Sequence, residues 1–108
     1  MNPLLFDNLL SWSAQVSILA IAEAVWVLRT GYKKNAAGIA SAVEMLLNHK
    51  DLVLQDSDAV AAALILFRSR PALGFSDCLM LHLARKAGHL PLGTFDRALG
   101  RVEGAQKL

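Results

Sequence analysis

The chain predicts an α/β fold, a short parallel sheet covered by helices. Three observations carry that prediction. Short apolar runs alternate with longer segments whose apolar residues recur at helical spacing. Capping residues, glycines and a proline bracket those segments. The resulting order is strand, helix, helix, strand, helix, helix, strand, helix. Strands alternating with helical patterns point to parallel crossovers.

Each element has a local reason. Residues 16–19, Val-Ser-Ile-Leu, read as a short strand leading into a helix over 20–31. Gly31 and the polar run Tyr32, Lys33, Lys34, Asn35 end that helix. Asn35 is of N-cap type for the next one, where Ile39, Val43, Leu46 and Leu47 share a face. Leu52-Val-Leu54 is a second apolar run of strand type. Ser57 caps a helix carrying Val60, Ala61, Leu64 and Phe67, and Pro71 stops it by disfavouring helix at the residue before it. Ser76 caps a helix from Asp77 to about Lys86, with Leu79, Leu83 and Ala87 on one face and Gly88 as its stop. Residues 90–94 form a third strand, placed near an edge by Pro91. Asp96 begins the last helix, which runs to about Arg101.

Composition bounds the function. A length of 108 residues allows one small domain, spanning 1–108, with a single core. Hydrophobic residues make up 55% and charged ones 19%, which excludes a disordered chain. A net charge of +2 permits a nucleic-acid partner without arguing for one. The single cysteine, Cys78, excludes an internal disulfide framework and fits a reducing, cytoplasmic setting. The N-terminus carries no basic leader region. Residues 9–28 are apolar enough to suggest a membrane span. Ser11, Ser13, Gln15, Ser17 and Glu23 oppose it, since a mid-span carboxylate costs ~2.5 kcal/mol or more.

Three carboxylates carry the chemistry. Glu23 sits inside an apolar helical segment, Asp77 opens another, and Asp96 follows the third strand. A carboxylate in an apolar stretch is costly to bury unless it is paired, protonated or bound to a metal. Together the three suggest an acidic pocket for a hard cation such as Mg²⁺ or Mn²⁺. Plainer readings stand beside that one. Asp77 and Asp96 also suit helix N-termini, where the dipole favours a carboxylate by ~0.3–1 kcal/mol. Glu23 also suits a solvated helix face. Asp51, Asp56, Asp58, Glu44 and Glu103 read as surface charge. His49, His82 and His89 lack paired zinc spacing. Cys78 reads as a buried small hydrophobe, and Trp12 and Trp26 as core or interface residues.

Three segments resemble the acidic motifs of PIN-domain ribonucleases, in particular the VapC-type toxins of bacterial toxin–antitoxin pairs. Val16-Ser-Ile-Leu-Ala-Ile-Ala-Glu-Ala-Val-Trp-Val-Leu-Arg29 resembles their second motif. Phe75-Ser-Asp-Cys-Leu-Met-Leu-His-Leu-Ala84 resembles the third, and Leu92-Gly-Thr-Phe-Asp-Arg-Ala-Leu99 the fourth. The resemblance covers 16–108, with the motifs in family order and at family-like spacing.

The resemblance implies a PIN-like three-layer α/β/α fold and an endoribonuclease whose clustered carboxylates hold Mg²⁺ or Mn²⁺. Glu23, Asp77 and Asp96 would be the catalytic and metal-holding residues. Arg29, Lys33, Lys34 and Arg97 could hold RNA phosphates. Partners would be RNA, a cognate antitoxin protein and a second copy of the chain. The family opens with a central strand ending in an Asp, then two helices. Here Asp7 is the residue nearest that role, but some eight residues between it and the strand at Val16 are too few for a parallel crossover. The chain therefore reads as shortened at its N-terminus. Loss of a central strand would leave two sheet halves with unpaired inner edges, open to another chain. A catalytically inactive remnant, acting as a dimerisation or antitoxin-binding module, is the alternative function.

Overall fold

The computed structural model describes residues 14–94 and 99–108. It is an α/β protein with β1 (Ala14–Val16), α1 (Ile18–Thr30), α2 (Ala36–Asn48), β2 (Leu52–Leu54), α3 (Ser57–Ser69), α4 (Phe75–Ala87), β3 (Leu92–Thr94) and β4 (Ala105–Lys107). Short 3₁₀ turns at Pro71–Leu73 and Leu99–Arg101 complete it. The strands form two separate parallel pairs. In one, β1 runs beside β2 with Ala14 opposite Leu52 and Val16 opposite Leu54. In the other, β3 runs beside β4 with Leu92 opposite Ala105. Among the described residues each strand thus has a neighbour on one side only.

Helix starts are held by side chains. Ser17 accepts a hydrogen bond from the Ala20 amide at 3.1 Å, and Asn35 accepts one from Gly38 at 2.9 Å. Each cap satisfies an amide with no partner inside the helix. The amide of Ile18 donates to Gln55 Oε1 at 2.9 Å, so the residue after β2 also caps α1. The first strand and helix begin earlier than the sequence pattern predicts. Ser17 is the reason: it acts as the cap, not as a strand residue. At α3 the cap position is Asp56, in left-handed conformation, and Ser57 is the first helical residue. At α4 the cap position is Gly74 at φ +82°, a backbone that glycine adopts without strain, and Ser76 lies inside the helix.

The core is built around α3. Val60, Ala63, Leu64 and Phe67 are buried there, packed between α2 and α4 with Ile39, Val43, Phe75, Cys78, Leu79 and Leu81. Phe67 and Phe75 meet edge-on at 5.8 Å between ring centroids. Ile21 and Val25 of α1 and Leu54 of β2 join the same cluster. Ion pairs lie outside it: Arg68 with Glu44 ties α3 to α2, and Lys86 reaches Asp56 at 2.7 Å and Asp58 at 2.8 Å.

The C-terminal strand pair docks on α4. Leu99 is buried in the core. Arg85 donates to the Glu103 carbonyl at 3.0 Å, and the Leu92 amide donates to the Gly104 carbonyl at 2.8 Å. Gly104 has φ +90°, and a Cβ there would lie 2.9 Å from the Arg85 guanidinium. The predicted helix from Asp96 to Arg101 falls partly outside the described residues. Its described part is the 3₁₀ turn Leu99–Arg101, followed by β4, a strand that the sequence pattern does not predict. No helix among the described residues is long and apolar enough to cross a membrane.

Candidate functional site

Asp77 is the third residue of α4, in its first turn, and is half-buried. Its Oδ2 lies 3.9 Å from where a Cβ on Gly74 would stand. The neighbouring Cys78 is fully buried. Burial first, and the Asp77 charge second, push the Cys78 thiol up to about 11. A thiol so held is not a nucleophile at neutral pH.

A cavity of about 210 Å³ opens beside this helix start, lined by Val25, Arg29, Lys34, Phe67, Gly74 and Phe75 among others. The backbone sets its two cations. Arg29 is in the last turn of α1, and the Lys34 amide donates to the Leu28 carbonyl at 2.8 Å, folding the chain back after Lys33 at φ 52°. Two of the predicted phosphate-holding residues therefore line one cavity with Gly74 and Phe75 at the start of α4. Lys33 is exposed on the same turn. Asp96 and Arg97, like Asp7 and Trp12, lie outside the described residues.

Glu23 faces elsewhere. It is exposed and lines a groove of about 640 Å³ between α1 and α2, with Ala20, Ala24, Val27, Met45 and His49 among its walls. At about 100° per residue, Glu23 lies about 160° around α1 from Val25, which faces the cavity beside α4. Carboxylate oxygens are the right donors for Mg²⁺ or Mn²⁺. In this arrangement, however, Glu23 lines the α1–α2 groove and Asp77 does not, so the two do not meet over one ion. Among the described residues no group of three His, Cys, Asp or Glu side chains could hold a metal.

The groove holds what sequence spacing misses. His49 is 26 positions from Glu23, and only the packing of α1 on α2 brings both to one cavity. His49 Nδ1 accepts from the Asp51 amide at 3.1 Å, which orients the ring. Met45 of the groove wall is 72% exposed, and Trp26, expected in the core or an interface, is 59% exposed on another face of α1. Compared with known proteins, the chain matches no family model, no curated protein and no solved structure.

Proposed function

We propose that this chain is a PIN-like domain of the VapC toxin type and acts as a metal-dependent endoribonuclease. The observation that carries the reading is the split of the strands into two parallel pairs, β1–β2 and β3–β4. The resemblance puts a central strand between two such halves. The position of Asp77 in the first turn of α4 adds support, because the third acidic motif has its carboxylate at a helix start. Arg29 and Lys34 beside that helix start offer cations for an RNA backbone. A bound Mg²⁺ or Mn²⁺ would polarise water and steady charge on the scissile phosphate. Asp77 and Asp96 are the proposed metal-holding carboxylates, Asp96 lying outside the described residues; Glu23, the third carboxylate that the resemblance implies, lines the α1–α2 groove instead. No step is assigned to Glu23, because it faces the α1–α2 groove.

Calorimetric titration with Mn²⁺ tests the reading, with Asp77→Asn as control. The expected outcome is saturable binding and Mn²⁺-dependent RNA cleavage, both lost in Asp77→Asn. No binding at millimolar metal would overturn it.

One observation favours a second reading, an inactive remnant that binds a partner. Glu23 lies in an apolar groove away from Asp77, and Val27 and Met45 of its walls are exposed. A tight complex with an antitoxin-like peptide, without nuclease activity, is the expected result for that reading. Absence of any complex would sink it.

A further inference from the structure

Two cavities meet at the start of α2. The cavity beside α4, of about 210 Å³, and a second of about 430 Å³ share Ala36, Phe67 and Pro71 as walls. Arg29 and Lys34 line the first, and Ser41 and Arg68 line the second. Among the described residues no Asp or Glu lines either one. Arg68 is held by Glu44. Arg29 and Lys34 have no carboxylate partner among the described residues. Asp77, in the first turn of α4, lines neither cavity.

The backbone brings the two free cations together. Helix α1 ends at Thr30, and the amides of Gly31 and Tyr32 both donate to the Val27 carbonyl, at 2.7 Å and 3.1 Å. That turn returns Lys34 to the cavity that Arg29 lines. Helix α2 follows with no acidic residue in its first turn, so the positive end of its dipole adds to the two charges. Like charges in one cavity repel unless an anion lies between them. Two cations match a phosphate monoester, which approaches two negative charges at neutral pH. A phosphate inside a nucleic-acid strand carries one. The apolar walls suit what the ester carries. Small-molecule sites of roughly 300–1,000 Å³ combine such walls with a few polar groups, and the joined cavities are of that size and kind.

We propose that the joined cavities bind a ring-bearing phosphate monoester, with its phosphate between Arg29 and Lys34 and its ring against Phe67 and Pro71. A free mononucleotide and the phosphorylated end of an RNA strand share that chemistry. The inference goes beyond the ribonuclease reading, because it needs neither a metal nor cleavage.

Calorimetry on the full chain in EDTA tests it. The probes are adenosine monophosphate, adenosine, inorganic phosphate, and two RNA oligonucleotides of one sequence that end in phosphate or in hydroxyl. With no divalent metal present, failure here leaves the Mn²⁺ titration untouched, so the two readings fail separately. The expected result is saturable binding of adenosine monophosphate without binding of adenosine, which makes a free nucleotide the ligand. Tighter binding of the phosphate-ended RNA than of its hydroxyl-ended twin would equally support the site and make a strand end the ligand. Arg29→Gln and Lys34→Gln should each weaken binding about tenfold with the far-UV spectrum unchanged. Ala37→Leu, at an exposed position on the wall of the second cavity, should weaken adenosine monophosphate several-fold and leave inorganic phosphate unaffected. No saturation by millimolar adenosine monophosphate or by the phosphate-ended RNA would overturn the proposal. Equal binding of the two RNAs with no binding of the nucleotide would also overturn it, because the cations would then hold a strand's internal phosphates. So would an affinity unchanged in both glutamine variants, or in Ala37→Leu.

Discussion

Asp77 and Cys78 are adjacent in sequence and differ in solvent access. The carboxylate is half-buried in the first turn of α4, while the thiol points into the core. With burial and the Asp77 charge both raising its pKa to about 11, Cys78 should resist thiol reagents near pH 8. The expected outcome is slow reaction with an aromatic disulfide in native buffer and fast reaction in denaturant. Asp77→Asn should lower the thiol pKa, leaving the burial contribution in place. Rapid labelling of the native protein would contradict this. Both residues were legible in the sequence, because an apolar run after a polar start marks a helix and sets what faces inward. His49 was not legible, because nothing local links it to Glu23. Glu23 was legible as unusual, but its flank depends on which face of α1 meets the core, and Ile21 and Val25 decide that.

At the scale of elements, the caps of α1 matter most, because Ser17 and Gln55 both serve its first turn. Ser17→Ala should cost about 1 kcal/mol, read as a lower urea midpoint with an unchanged slope. Ala63 is fully buried on the core face of α3, so Ala63→Leu should cost about 1–3 kcal/mol by overpacking. A midpoint equal to the parent's would mean that the site has room. On α2, Ile39 and Val43 of the predicted face are buried, and on α3 Val60, Leu64 and Phe67 are. For α4 the sequence pointed to Leu79, Leu83 and Ala87. In the structure Phe75, Cys78, Leu79 and Leu81 are buried and Ala87 is exposed. Helix α4 touches α3 and also the C-terminal strand pair, where Leu81 lies near Gly104, and two contact faces blur a single helical period. Strand β4 was unreadable because Ala105-Gln-Lys107 has no β-branched or aromatic residue. Its pairing with β3 is a tertiary fact.

For the molecule as a whole, pH acts through His82. Burial, and then the Arg85 cation, hold its imidazole below the usual value. As pH falls, the unfolded chain takes up the proton first. The stabilisation is therefore whole above the unfolded value of about 6.5, shrinks as pH falls through that value, and levels off below the folded pKa. Asp58 is also held below its usual value, chiefly by Lys86, but its contribution is lost only at more acidic pH, below about 3.9. Urea unfolding at about pH 7.5 and about pH 5 separates the two groups. A lower midpoint at the acidic pH is expected, with a smaller difference in His82→Gln. The same drop in both proteins would remove His82 from the account. Arg85 bears on the order in which the molecule comes apart. Among the described residues no backbone ladder joins β3–β4 to β1–β2. The last strands are fastened to the helices by Arg85 on the Glu103 carbonyl and by the apolar contacts of Leu99. Such a fastening lets the tail peel away while the helices stay folded, so β4 amides should exchange with solvent through a shallower opening than those of α3.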